Sequence, residues 1–230
     1  MKNLRIRCSS LGKIMTAPKN KGEVLSVGAK TYIRELARED IFGVEVSPGS
    51  KQMEKGTRCE DASISLYNEV FGTSAAKNTE RRTDDIITGE CDFLLPSRGV
   101  DIKTSWSIAS FPILSGDCED SLYMWQARGY MRLWDRQEWQ IAFCLVDTPD
   151  DLIGYEPLSL HIVSHIPANL RLTTWTIKRD MEAEALMVEK VQAARLYYAE
   201  VLAEFDRTHG GVPAITHTTQ AASTAPAELV

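Results

Sequence analysis

Apolar and polar positions are most informative between Ile86 and Trp106. Ile86 to Leu95 is an apolar run broken by polar residues. Pro96-Ser97-Arg98-Gly99 is strong turn chemistry, and Val100 to Thr104 resumes a strand. The pattern predicts a β-hairpin. Residues two apart on a strand share a face, so Asp101 and Lys103 project together while Val100 and Ile102 project to the other side. Asp92, on the first strand, can come opposite Asp101.

Helical spacing dominates elsewhere. Ser26 to Phe42 reads as a helix with Tyr32, Ile33, Leu36, Ala37 and Ile41 as its stripe and Gly43 as its cap. Ser50 to Phe71 reads as one long helix closed by Gly72, with Met53, Gly56, Thr57, Glu60, Ile64, Tyr67 and Phe71 on its core face. Ser121 to Trp134 is a third helix, in which Gln126 and Tyr130 share a face and Gly129 permits close approach. Asp180 to Phe205 is a fourth, with Met181, Ala185, Val188, Tyr198, Leu202 and Phe205 on one side. Trp139 to Val146 reads as a buried strand, and Leu160 to Val163 and Leu172 to Lys178 as further strands. Near the start, Arg5 to Thr16 suggests a short strand and then a helix start capped by Ser9 or Ser10. From Thr208 onward the chain is Gly, Thr, Ala, Ser and Pro without periodicity. Residues 1–207 are therefore expected to form the folded domain and 208–230 a disordered tail.

Composition narrows the class. With 230 residues, 43% hydrophobic and 25% charged, the chain can bury a sizeable core. No apolar run approaches the roughly eighteen residues of a membrane span, and MKNLRIRCSS lacks a signal-peptide core. Five scattered cysteines without C-x-x-C point to a reducing cytosol, with neither a disulfide framework nor a zinc site. His161 and His165, four apart on a strand or loop, do not converge on a metal. The net charge of −6 argues against nucleic acid, but its distribution argues for it. Residues 1–38 hold nine Lys/Arg and two acids, a net of +7, which leaves −13 on the other 192. A basic segment on an acidic body can be a phosphate-binding surface, although surface lysines would look the same.

The candidate chemistry lies on the hairpin. Asp92 and Asp101 held together repel unless a cation separates them, and a hard divalent ion with oxygen ligands would do so. Lys103 beside them could orient or activate a water. The alternative is a solvated face with a cross-strand ion pair. Glu60 either points at the same cation or reaches solvent from the edge of its stripe. Arg5, Arg7 and Ser10 at a helix start would make an anion site. The alternative there is an N-cap with solvated arginines.

Four stretches in order sharpen the reading: RCSSLGKIMT, MEKGTRCEDASISLYNEVFG, TGECDFLLPSRGVDIKTSW, and YMWQARGYMRLW followed by a strand and VDTP. Together they span residues 5 to 149 and resemble the lambda exonuclease and YqaJ viral recombinase family of the PD-(D/E)xK nuclease superfamily. The resemblance implies an α/β, restriction-endonuclease-like core with a central mixed β-sheet flanked by helices. It implies a metal-dependent 5′→3′ exonuclease that acts on linear duplex DNA and leaves 3′ overhangs for phage recombination. Asp92, Asp101 and the Ile102 carbonyl would ligate Mg²⁺, Glu60 would serve a second ion, and Mn²⁺ would substitute. Lys103 would activate the water, Gln126 would hold substrate or water, and Tyr130 and Ser105 would support them. Ser10 with Arg5 or Arg7 would grip the 5′-phosphate. A homotrimeric ring, a single-strand annealing protein as partner and the bacterial host cytosol are further implications.

Three positions depart from the family pattern: Cys91 stands where Pro is usual, Asp101 where Glu is commoner, and Glu90 where lambda exonuclease has a serine that bears on the phosphate grip. The rival functions are a structure- or site-specific endonuclease and a non-catalytic DNA-end adaptor.

Overall fold

The computed structural model of the protein describes residues 4–46 and 49–210. Two sheets share one stretch of chain. In the first, β1 (Ile6–Arg7) runs parallel to β3 (Ile87–Glu90), whose other edge pairs antiparallel with β2 (Arg81–Thr83). In the second, β4 (Phe93–Leu94), β5 (Gly99–Thr104), β6 (Glu138–Cys144) and β7 (Leu172–Lys178) lie in that order, with β5 and β6 parallel and the outer pairs antiparallel. The expected hairpin is therefore split. Its first strand leaves one sheet at Glu90 and enters the other at Phe93, with Cys91 and Asp92 making the crossing. Asn78 holds that crossing: its backbone amide donates to the Asp92 carbonyl at 2.6 Å and its side-chain amide to the Cys91 carbonyl at 3.0 Å.

Helices cover both faces of the larger sheet. Parallel neighbours need a crossover, and α5 (Ser121–Trp134) supplies it between β5 and β6. Asp120 caps α5 by accepting from the Leu122 and Tyr123 amides. On this face α5 shares a core with α1 (Leu11–Met15), α2 (Val27–Phe42) and α7 (Met181–His209), built on Ile14, Ile33, Met131, Trp139, Ile141 and Met187. On the opposite face α4 (Glu60–Phe71) buries Ile64 and Tyr67 against Phe93, Val100, Ile102 and Ala142. The alternation expected of β5 is thus observed, with Val100 and Ile102 under α4 and the side of Asp101 and Lys103 toward α5. Gln140, buried on the α4 side, accepts from the Tyr67 hydroxyl at 2.6 Å. Left unpaired, such a group would cost about 1–3 kcal/mol.

The first segment docks through two glycines. A Cβ on Gly89 or on Gly129 would lie 2.9 Å from the Cys8 sulfur, so the thiol fits only because both positions lack a side chain. The close neighbours of Gly129 are the side chains of Leu11 and Cys8, where the sequence suggested an approaching backbone. The last helix then clamps this segment. Lys190 Nζ donates to the Thr16 carbonyl at 2.7 Å, Arg195 Nε to the Leu4 carbonyl at 2.8 Å, and the Tyr198 hydroxyl to Asp40.

The structure corrects several sequence expectations. Ser50 to Phe71 is not one helix: α3 (Lys51–Arg58) ends at Cys59, whose φ of −107° and ψ of 11° break the geometry before α4 begins. The break moves the buried face, so Lys55 is fully buried while Met53 and Phe71 are exposed. Leu160 to Val163 is not a strand. A tight turn after Pro157 continues through Leu158–Leu160, with the His161 amide donating to the Leu158 carbonyl. The buried side of α7 carries Ala183, Glu184, Met187, Lys190, Val191, Ala194 and Tyr198, and Met181 and Ala185 are exposed. Glu184 is paired with Arg179 at 2.6 Å and Lys190 is bonded to Thr16, which lets charged residues occupy a core face. This helix also includes Thr208 and His209 and is capped by Gly210 at a φ of 73°. The remaining tail, 211–230, lies outside the described residues. All five cysteines are free and buried, and among the described residues no helix is long and apolar enough to cross a membrane.

Candidate active site

The strand crossing and the end of β5 build the site. Phe93 pairs with Val100, so the register carried one step further sets Asp92 opposite Asp101. An Asp92 carboxylate oxygen accepts from the Ile102 amide at 2.5 Å. The N–H and C=O of one strand residue point to the same edge, so the Ile102 carbonyl opens on the Asp92 side. Burial first, and then the Asp101 charge, push the Asp92 carboxyl up to about 8, against the pull of the Ile102 amide and Lys103.

Asp101 is buried at 2% exposure and held on all sides. Its Oδ1 accepts from the Gln126 amide at 3.0 Å. Its Oδ2 faces the Lys103 ammonium at 2.7 Å in an ion pair. Lys103 also donates to Gln126 Oε1 at 3.1 Å and lies over the Tyr123 ring at 4.4 Å. Gln126 donates to the Tyr130 hydroxyl at 3.2 Å, which donates to the Glu90 carbonyl at 2.9 Å. This chain ties β5, α5 and β3 together. Burial alone would lower the Lys103 pKa, but the Asp101 carboxylate outweighs it and raises the value, so Lys103 is an ammonium at neutral pH.

A cavity of about 610 Å³ opens over this group, lined by Glu60, Asp92, Ile102, Lys103, Ser105 and Trp106 among others. Glu60 is ion-paired with Lys77 at 2.7 Å at the cavity wall. Ser105 lies in the wall with its hydroxyl unpartnered, and its carbonyl accepts from Lys55. Among the described residues no three His, Cys, Asp or Glu side chains converge as a metal cluster. The fit to a hard cation rests on a smaller set: the two crowded carboxylates of Asp92 and Asp101 and the adjacent Ile102 carbonyl, with Asp92 and Ile102 in the cavity wall.

Arg5, Arg7 and Ser10 come together in a second cavity of about 780 Å³, with Lys13 and Tyr32. Met53 lines both cavities, so they adjoin. Ser10 stands at the N-cap of α1 but makes no capping hydrogen bond; its hydroxyl is a partner of the Tyr32 phenol. The helix that follows has only five residues and adds little field. Arg7 is paired with Glu45 at 2.8 Å and Arg5 donates to the Asp84 carbonyl at 2.9 Å, so an arriving anion competes with ligands already present.

Sequence reasoning missed Lys55. It is fully buried and donates to the carbonyls of Ser105, Trp106 and Val146 at 2.7, 2.9 and 2.9 Å, which joins the ends of β5 and β6. Burial pulls its pKa down to about 8. A lysine within an otherwise polar turn of helix gives no sign of this. Asn78 was also missed, because it falls between elements. His161, expected to be no metal ligand, is fully buried between Thr148 and Glu156.

No protein-family model and no curated protein matches the chain. Solved structures do. A phage-related exonuclease from Haemophilus somnus 129PT shares 38% identity over 88% of this chain and 97% of its own, with a TM-score of 0.83. An alkaline exonuclease from Laribacter hongkongensis shares the fold at 15% identity, covering 90% of this chain and 93% of its own, with a TM-score of 0.65. The same enzyme in complex with dAMP superposes with a TM-score of 0.63. The chain belongs to the family of phage-type exonucleases of the lambda exonuclease and YqaJ kind. It is a nuclease with the expected α/β fold, mixed sheets flanked by helices.

Asp92 has a measurable signature. Its folded pKa of about 8 lies above the ordinary aspartate value, so without a cation the folded chain holds a proton that the unfolded chain releases. That contribution to stability is complete below about pH 4 and is lost as the pH rises toward about 8. Asp92→Asn is expected to melt several degrees above the unmutated protein in chelator at about pH 9, with the difference vanishing near pH 4. Parallel melting-temperature curves for the two proteins would overturn this account of Asp92.

Proposed function

We propose that the protein is a Mg²⁺-dependent 5′→3′ exonuclease that degrades one strand of linear duplex DNA from its 5′ end and leaves 3′ overhangs for strand annealing. The observation that carries this reading is the adjacency of two chemically different cavities. One is acidic and holds Asp92, Lys103 and Glu60; the other carries Arg5, Arg7 and Ser10; Met53 is in the wall of both. A terminal phosphate, more charged than an internal diester, suits the second. A chain seated there passes its first linkage across the first.

Asp92, Asp101 and the Ile102 carbonyl would hold Mg²⁺, with Glu60 serving a second ion and Mn²⁺ able to substitute, and the metal supplies a water of lowered pKa and a Lewis acid for the leaving oxygen. Lys103, 2.7 Å from Asp101, would activate or orient the water and offset developing negative charge. Gln126 bridges Asp101 and Lys103 and sets their spacing. Tyr130 fixes Gln126 from the far side, and Ser105 supports the wall. Positioning of this kind is most of what phosphodiester hydrolysis asks of a protein.

The partners follow from the same reading: duplex DNA ends, a phage single-strand annealing protein for the strand left behind, and two further copies of the chain in a ring. In such a ring the basic residues of the first 38 positions would face the DNA, which reconciles a net charge of −6 with a polyanionic substrate. The setting would be the cytosol of a bacterial host.

Incubation of linear and covalently closed duplexes with and without Mg²⁺ tests the activity. Linear DNA is expected to be degraded only with the metal and circles to be spared; cut circles would favour an endonuclease. Asp101→Ala should lower the rate by three orders of magnitude or more, of the order of 4 kcal/mol in the barrier, with the fold retained. Lys103→Ala should lose rate with DNA binding kept. Normal turnover by Asp101→Ala would end the assignment.

The phosphate cavity has its own test. Duplex with a 5′-phosphate should be digested about tenfold faster than duplex with a 5′-hydroxyl, of the order of one charge-assisted contact. Arg7→Ala should erase the preference without changing metal affinity. Equal rates on both ends in the unmutated protein would move the polarity device elsewhere.

For the assembly, light scattering should give a mass near three times 25.7 kDa. A fully active, stable monomer at micromolar concentration would refute the ring.

A further inference from the structure

The cleft has a side that the proposed hydrolysis leaves unused. Trp106 lines it together with Glu60, Asp92 and Lys103. It is only partly buried and belongs to neither apolar core. Even so, it is held at several points. Its indole N–H donates to both oxygens of Glu156 at 3.0 and 3.2 Å. Its carbonyl accepts from Lys55 at 2.9 Å and from the Thr148 hydroxyl at 3.1 Å. Its ring meets His161 at 75°, with centroids 5.2 Å apart. His161 closes the circuit, with Nδ1 3.0 Å from the Thr148 hydroxyl and Nε2 3.1 Å from the Glu156 carboxylate.

Lys55, Thr148 and His161 are all buried polar side chains, each costly to bury without such partners. Lys55 and Thr148 fix the Trp106 backbone, while His161 and Glu156 fix its partly buried indole. The other two aromatic residues of the cleft are engaged differently. Tyr123 lies under the Lys103 ammonium, and Phe143 packs on Tyr123 with centroids 5.9 Å apart. Among the described residues Trp106 makes ring contact with neither.

We infer that Trp106 is a stacking platform for a nucleobase beside the scissile linkage, and that Glu156 and His161 are positioning residues that hold the indole in the cleft. The inference rests on the nuclease reading above. A strand whose phosphodiester lies over Asp92 and Lys103 must send its bases to one side, and the partly buried indole lines the cleft beside those residues. Stacking suits an enzyme that advances through any sequence, because every base presents a π-face.

The test uses the full-length protein and linear duplex. Trp106→Ala should raise KM for DNA roughly tenfold and change kcat less. Trp106→Phe keeps a smaller ring and loses the bond to Glu156, so its KM should rise about threefold. Glu156→Ala should also raise KM about threefold, and Glu156→Gln, which keeps an acceptor, should restore it. Trp106→Phe and Glu156→Ala remove the same hydrogen bond, so the double variant should be no worse than either single one. With Ca²⁺ in place of Mg²⁺, a short duplex should quench the tryptophan emission of the unmutated protein, and Trp106→Phe should lose most of that quenching.

Full quenching in Trp106→Phe, or additive effects of Trp106→Phe and Glu156→Ala, overturns the inference. So does an unchanged KM in Trp106→Ala. Trp106→Phe and the half-exposed Glu156→Ala carry the test should Trp106→Ala fail to fold. Those results in an active enzyme overturn the stacking alone, whereas unmutated protein that leaves linear duplex intact with Mg²⁺ overturns the nuclease reading and the stacking with it.

Discussion

Two carboxylates set opposite each other across a strand pair two residues long are a source of repulsion, and much of the surrounding structure answers to it. Asp92 accepts from the Ile102 amide, and its backbone is held by Asn78. Asp101 is shared between Lys103 and Gln126. Gln126 is fixed by Tyr130, and Tyr130 by the Glu90 carbonyl, which lies just before the crossing that delivers Asp92. The hydrogen-bonded chain therefore starts and ends beside the same two acids. Removing one member shifts the load to its neighbours, so the group is expected to behave as a unit.

The two cavities depend on different parts of the fold. The acidic one is built by α3, the start of α4, the crossing at Asp92 and the end of β5, with Tyr123 of α5 and Phe143 of β6. The basic one is assembled from distant pieces: Arg5 and Arg7 at the start, Tyr32 and Glu39 on α2, Thr88 on β3 and Tyr198 on α7. Its carboxylates, Glu39, Asp40 and Glu45, keep the free protein from presenting a bare cationic hole. An anion must then displace Glu45 from Arg7, which favours a doubly charged end group over any passing diester.

How much of this was legible in the sequence varied by mechanism. Alternation on β5 placed Asp101 and Lys103 correctly because a strand of period two allows no other arrangement. The i, i+4 spacing placed Gln126 and Tyr130 on one helix face for a similar reason. The helix ends at Gly43 and Gly72 were legible because their chemistry is local. Errors arose where long-range partners overrode local pattern. Lys55 and Lys190 are charged and fell outside the expected core faces, yet each has partners from distant chain that satisfy it in the interior. The break at Cys59 leaves no Gly or Pro behind to announce it. The split of the hairpin between two sheets was hidden because both halves read as strand, and only the pairing partners β1 and β2 reveal that they part company.

The clamp by α7 bears on the order in which the molecule acquires its parts during synthesis. Lys190, Arg195 and Tyr198 fasten Thr16, Leu4 and Asp40, across up to 191 residues of sequence. A ribosome delivers the strands that carry Asp92, Asp101 and Lys103, and α5, well before it delivers α7. A nascent chain can thus assemble its acidic residues while its N-terminal segment still lacks the helix that holds it down. The cavity that Arg5, Arg7 and Ser10 share is completed last, so a chain truncated before α7 would carry Asp92, Asp101 and Lys103 on formed strands without the helix that fastens its N-terminal segment.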